Sequence, residues 1–352
     1  MEGEVYNLIV DGSIVLASLF YCYGVGLFIG QGTTRFMVLF PVICLFLCLP
    51  LNLHTMFLSS LTSFFISLLG TFKLVLYAFG RGPLSLYPPL SLSHFIFTTC
   101  LPIKILSNQE KSFQMITKNK KSLKDYVPPI LLFIVILMAH SYKYRLHPLL
   151  TTSLHAYYLF VLLELFLALT TSLSGYIVRV EFEPLFDNPH HATSVQNFWG
   201  KRWNILVSNI LRATIYHPSR SIFSYVVPQR WVSLPAVFVT FLVSGVMHEL
   251  VFYHLGRLTP TGELTCFFLI QGVCVGMEIV IKKTMGVRFQ PPPIVAQTLT
   301  LSFVMLTSFR LFFPSFLRLD PYGRVCREIM AFLGFVKSGK VLSPIEYACP
   351  FT

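Results

Sequence analysis

The chain has 352 residues, of which 54% are hydrophobic and 12% charged, against about 45–50% and about 25% in ordinary soluble domains. With a mean hydropathy of +0.67, so few charged side chains cannot cover a water-soluble fold. Disordered, collagenous and disulfide-stapled scaffolds are excluded too, which leaves a polytopic, all-α membrane protein whose helices satisfy their own backbone groups. The formal charge of +12, from 27 basic and 15 acidic residues, belongs at the membrane surface or against an anionic ligand.

The first apolar run, 8–29, follows Glu2 and Glu4 instead of a basic region, which predicts an uncleaved signal anchor. Runs over 36–53 and 56–79 come next, each near the ~20 residues that cross a ~30 Å hydrocarbon core. Gly80-Arg81-Gly82-Pro83 and Pro88-Pro89 break the pattern. The apolar piece 94–105 is too short to span and reads as re-entrant or interfacial. The polar stretch 107–125 holds Lys111, Lys118, Lys120, Lys121 and Lys124 and is cytosolic by the positive-inside rule. Further spans are predicted at 127–142, 151–174, 234–255, 266–281 and 293–313, about eight in all.

These spans make one membrane-embedded domain over 1–352, with cytosolic loops at 80–126 and 175–233. Alternation then puts Lys143, Arg145 and the basic tail of Arg318, Arg324 and Arg327 on the lumenal side, against the charge rule. A half-span near 327–336, or a re-entrant segment elsewhere, would relieve the conflict. Gly26-x-x-x-Gly30 and Gly272-x-x-x-Gly276 permit close helix contact. The eight cysteines contain no C-x-x-C pair, and Cys44 and Cys48 lie one turn apart in an apolar run, so they read as small packing residues. Cys349-Pro350-Phe351-Thr352 imitates a prenylation box, but its proline and threonine fit that signal poorly.

Two segments do not look like lipid-facing helix. Asn197-Phe198-Trp199-Gly200-Lys201-Arg202-Trp203-Asn204 packs two of the three tryptophans, two cations and two asparagines into one stretch. Such a segment can be an interfacial anchor. It can also clasp a ligand with anionic phosphates and a flat ring, because Phe198, Arg202 and Trp203 fall at helical spacings on one face. Acyl-CoA is such a ligand, and Asn204 would be a neutral donor to a developing oxyanion.

In Val243-Ser244-Gly245-Val246-Met247-His248-Glu249-Leu250 a histidine and a carboxylate interrupt an apolar run. An intramembrane ionisable group is a functional candidate because placing it in hydrocarbon is costly. The alternative is a histidine bonded between helices. His248-Glu249 opens like H-E-x-x-H, but Phe252 stands where the second zinc ligand belongs and His254 lies on another face, so no metal site is expected. His190-His191 sits in a proline-flanked, exposed loop. Ser244 lacks the strand-turn-helix setting of a nucleophile elbow, and no P-loop or dinucleotide fingerprint is present. The basic residues are spread over loops of a membrane protein, so nucleic acid is not an expected partner.

A tryptophan-rich basic segment followed some forty residues later by S-G-x-M-H-E-L resembles the membrane-bound O-acyltransferase superfamily. Pro50-Leu51-Asn52-Leu53 and Gly82-Pro83-Leu84 look like its plant wax synthases of the jojoba type. The resemblance implies an enzyme that transfers a fatty acyl group from acyl-CoA to a long-chain alcohol, giving a wax ester and CoA, in the endoplasmic reticulum membrane. It carries the family's histidine onto His248 and its tryptophan–asparagine pair onto Trp203 and Asn204. His248 would be the general base and Asn204 the oxyanion donor or orienting group. Lys201 and Arg202 would meet CoA phosphates, and Phe198, Trp199, Trp203, Ser244 and Glu249 complete the expected substrate contacts. No cofactor is implied beyond acyl-CoA as co-substrate; fatty alcohol and membrane lipid are the other partners. Diacylglycerol or a sterol could replace the alcohol, and a short donor the fatty one. A transporter would share the intramembrane histidine, but it should show paired repeats, which the sequence lacks.

Overall fold

The computed structural model describes residues 2–85, 89–101, 186–285 and 291–338, with isolated positions and short stretches between 127 and 163 and Cys349. The described residues are helices and connecting turns, without a strand. The chain forms two compact units, Met1–Pro102 with Pro184–Pro321, and Ile103–Glu183 with Tyr322–Thr352.

Among the described residues, six helices, all in the first unit, are long and apolar enough to cross a membrane. They are α1 (Glu2–Phe28), α2 (Thr33–Cys48, continued by a tighter turn through Asn52) and α3 (Met56–Ala78), then α8 (Ser233–Gly256), α9 (Glu263–Met285) and α10 (Pro293–Leu317). They coincide with six of the expected runs. The expected spans 127–142 and 151–174, and the lysine loop at 107–125, fall largely or wholly outside the described residues. Between the long helices lie α4 (Leu92–Cys100), α5 (Val195–Asn197), α6 (Ile205–Leu211) and α7 (His217–Phe223).

Buried cations tie the first helices together. Arg35, at the start of α2, donates to the carbonyls of Gly26 and Ile29, at the end of α1, and to that of Tyr77 in α3. Its guanidinium also lies 5.0 Å from the Tyr77 ring centre. Gly26 leaves room for the Tyr77 hydroxyl, which would have to move if a Cβ stood there. Lys73 caps α4 through Thr98 O at 2.6 Å and Leu101 O at 2.5 Å. The described part of the expected 94–105 piece therefore falls within the nine-residue helix Leu92–Cys100 and the residue after it, held at its end by a side chain of α3.

The hairpin α8–α9 is the frame of the site. Glu249 Oε1 accepts from the backbone N–H groups of Leu264 (3.0 Å) and Thr265 (3.2 Å), two donors exposed at the start of α9. Gly245 lets the helices meet: a Cβ there would lie 2.7 Å from Thr265 Cα. Gly272 does the same against Phe241, whose Cβ would be 2.9 Å away. The hairpin is tied to α3 by His254 Nδ1 and Ser63 Oγ, 3.0 Å apart. Glu263 ties it to α10, accepting from Ser315 Oγ (2.6 Å) and Arg318 Nη2 (2.6 Å).

In the second unit, α11 (Pro321–Ser338) carries Arg324, Arg327, Glu328 and Lys337 among exposed Ile329, Phe332 and Leu333. That mixture makes it amphipathic, and it is not among the helices long and apolar enough for a full crossing. Cys326 and Cys349 form a disulfide, which corrects the reading of every cysteine as a packing residue. Paired cysteines 23 residues apart leave no local spacing signal, and Cys349 so engaged has no thiol for prenylation.

Candidate active site

The tryptophan-rich segment is not a regular α-helix. Ser194 Oγ accepts from Asn197 N–H at 3.0 Å and opens α5, which widens into a π-turn over Phe198–Arg202. Trp203 N–H donates to Phe198 O at 2.9 Å, five residues back. The turn brings Phe198 and Trp203, two of the three residues expected on one face, one above the other, rings 5.5 Å apart and 14° from parallel. Ser208 Oγ holds the Trp199 carbonyl (2.6 Å) and Arg212 holds that of Gly200 (3.1 Å), so the wide turn is supported from outside. Such π-turns concentrate at functional sites.

Helix α9 fixes the segment from below. Glu278 accepts from the backbone N–H groups of Val195 (2.7 Å) and Gln196 (3.1 Å), the free donors at the start of α5. Gln271, 0% exposed, accepts from Trp199 Nε1 at 3.1 Å and donates to Thr307 Oγ1 of α10 at 2.8 Å. The Trp199 ring then rests against Phe241, Phe267 and Phe268.

Phe268 joins the two motifs. Its ring centre lies 5.6 Å from that of Trp199 and 4.3 Å from that of His248. Phe312, in the π-turn Ser308–Phe312 of α10, lies edge-on to His248 with ring centres 6.3 Å apart. His248 is partly buried in this aromatic enclosure, with Nδ1 2.7 Å from the Ser244 carbonyl oxygen. A carbonyl can only accept, so Nδ1 carries the proton. The Nε2 lone pair makes no hydrogen bond among the described residues.

The other expected residues divide. Asn204 adopts φ 40° and ψ 60°, a left-handed conformation that asparagine tolerates, and its Oδ1 accepts from Val207 N–H at 3.4 Å to start α6. Its amide nitrogen has no partner among the described residues, and no hydrogen bond joins it to His248. Lys201 is exposed and equally without a partner there. Arg202 is engaged: Nε donates to Asn197 Oδ1 (2.8 Å), and Nη1 to the carbonyls of Asp187 (3.0 Å) and Asn188 (3.2 Å). Trp203 has Phe186 at 4.9 Å as well as Phe198. Ser244 offers its carbonyl to His248, and Glu249 has one oxygen on the α9 cap. His190 and His191 are exposed on the turn Pro189–His191.

Phe268, Gln271, Glu278, Thr307 and Phe312 were missed. A signal existed for two of them: Gln271 and Glu278 are polar, lie within one predicted span, and are seven residues apart, hence on one face.

Both motifs therefore meet at Phe268, with the His248 imidazole among aromatic side chains next to the basic aromatic segment. Residues 182–270, which include both motifs, match the Membrane bound O-acyl transferase family. An acyl-CoA–sterol O-acyltransferase of Arabidopsis thaliana is 39% identical over 92% of this chain and 94% of its own length. A putative long-chain-alcohol O-fatty-acyltransferase of the same plant is 37% identical over 96% and 97%, and the long-chain-alcohol O-fatty-acyltransferase of Simmondsia chinensis, jojoba, 37% over 82% of both. The chain belongs to the membrane bound O-acyl transferase family, in the plant branch that includes the jojoba enzyme, and is an integral membrane O-acyltransferase.

Proposed function

We propose that this acyltransferase moves a fatty acyl group from acyl-CoA to the hydroxyl of a long-chain alcohol, releasing a wax ester and CoA, in the endoplasmic reticulum membrane. The observation that carries the reading is the open Nε2 of His248, oriented by the Ser244 carbonyl within an apolar enclosure. The alcohol oxygen attacks the thioester carbonyl as its proton passes to His248 Nε2, a base contribution of about 10²–10⁴-fold. The unpartnered amide of Asn204 donates to the tetrahedral oxyanion, or to the acceptor approaching it. Collapse expels the CoA thiolate, which takes the proton back from Nε2.

Lys201, exposed at the edge of the segment, meets CoA phosphates, while Phe198, Trp199 and Trp203 form the aromatic wall beside them. Arg202 and Glu249 act by holding that segment and the hairpin in register, and Ser244 by orienting the base. The acyl chain and the alcohol need only apolar surface, which the spans supply.

A second reading, a sterol as acceptor, is favoured by the 39% identity to the sterol acyltransferase. One assay separates them. Membranes from a host without acyltransferases of its own receive mixed acyl-CoAs and a panel of fatty alcohols, diacylglycerol and sterol, with products resolved by mass. Wax esters support the first reading, sterol esters alone replace it by the second, and no ester from any acceptor contradicts both.

A further inference from the structure

The α8–α9 hairpin has a second binding feature on its other side. A groove of about 750 Å³ runs along it, floored by Gly272 and Gly276 and walled by Leu234, Phe238, Met277 and Ile281. From Gly272 to Ile281 it is about 14 Å long at 1.5 Å per helical residue. Its walls are open: Phe238, Met277 and Ile281 are 44%, 54% and 48% exposed. On α9, Gly276, Met277 and Val280 point roughly opposite to the face that carries Phe268, Gln271 and Glu278, and His248 is not among the residues that line the groove.

One end of the groove is charged. Arg230 Nη2 donates to Lys283 O at 2.8 Å, and Lys283 Nζ donates to Arg230 O and to Ser233 Oγ at 3.2 Å, one residue from groove-lining Leu234. Arg230 and Lys283 flank the Trp231 ring at 5.0 and 5.8 Å. Tryptophan beside cations marks headgroup depth. Neighbouring Lys282 pairs with Glu278, but among the described residues neither Arg230 nor Lys283 has a carboxylate partner. Arginine has five donors and the ammonium three, so both retain donors that make no hydrogen bond among the described residues.

We propose that this groove is a site for one anionic phospholipid, with an acyl chain along Gly272–Ile281 and the phosphate on Arg230 and Lys283. Charge complementarity selects the headgroup, the glycines make room for the chain, and the placement away from His248 makes it a bound lipid and not a substrate.

The test is native mass spectrometry of the purified full chain, titrated with phosphatidylglycerol or with phosphatidylcholine of identical acyl chains. Phosphatidylglycerol is expected to be retained more tightly, by about fivefold per cation engaged, and the preference should shrink between 0.1 M and 1 M salt by screening. The double substitution Arg230→Gln with Lys283→Gln should erase the preference, and Gly276→Phe should lower retention of both lipids. Equal retention of the two lipids by the unaltered chain, a salt-independent preference, or undiminished retention by Gly276→Phe would overturn the proposal. Displacement of the lipid by a long-chain acyl-CoA would also overturn it, by giving the groove to the co-substrate.

Discussion

Nδ1 of His248 stands 2.7 Å from the carbonyl oxygen of Ser244, one turn earlier in α8. This bond sets the tautomer, and with it which nitrogen faces substrate. It is made to the backbone, so it survives replacement of the Ser244 side chain. Ser244→Ala is therefore expected to keep most of the activity, within about threefold, and a steady-state rate in membranes checks this. A loss as deep as that of a His248 variant would show that the hydroxyl, not the carbonyl, does the work.

Gln271 joins Trp199 Nε1 to Thr307 Oγ1 from a fully buried position. Gln271→Leu leaves both groups without their partner, at a cost of about 1–3 kcal/mol. The expected result is a lower melting temperature in detergent and a reduced kcat, because Trp199 buttresses the Phe268 ring against which His248 packs.

The glycines of the hairpin differ in what they tolerate. At Gly245 an added methyl meets backbone, 2.7 Å from Thr265 Cα, and relief requires the helices to separate. Gly245→Ala should cost about 1–3 kcal/mol. At Gly276 the nearest atom, Leu234 Cδ2, is 3.9 Å away, so Gly276→Ala should change stability by less than about 0.5 kcal/mol. Thermal unfolding of the two variants side by side checks the contrast.

The paired cations of the tryptophan segment should separate in the same way. Arg202 holds Asn197 and the carbonyls of Asp187 and Asn188, whereas Lys201 is exposed and has no partner among the described residues. Lys201→Ala is expected to raise the apparent acyl-CoA constant with stability unchanged. Arg202→Ala is expected to lower folded yield and melting temperature first.

Cys326–Cys349 gives a chemical count. Of eight cysteines two are joined, so six thiols should react with a maleimide in denaturant before reduction and eight after it. A disulfide persists in an oxidising compartment, so the same result supports a lumenal face for α11, the side to which alternation assigns the tail.

The long helices were legible because ~20-residue apolar runs bounded by Gly, Pro and charge leave few readings, as at 36–53 and 234–255. His248 and the tryptophan segment stood out because charge and indole rings are costly or conspicuous in such a setting. What the sequence hid was long-range. The π-turn at Phe198–Arg202 depends on Ser208 and Arg212 reaching back to its carbonyls, and the anchors Gln271 and Glu278 acquire meaning only when α9 passes beneath α5. The roles of Arg202 and Glu249 were hidden for the same reason: a charged side chain beside a motif looks like a ligand contact until its backbone partners, 14 to 16 residues away, are known.

The most direct measurement is ester formation by His248→Ala in membranes supplied with acyl-CoA and fatty alcohol, with the variant quantified in the same membranes. The account predicts that the protein accumulates normally and that the rate falls by about 10²–10⁴-fold. Accumulation with an undiminished rate would contradict His248 as the base and, with it, the mechanism proposed for this acyltransferase.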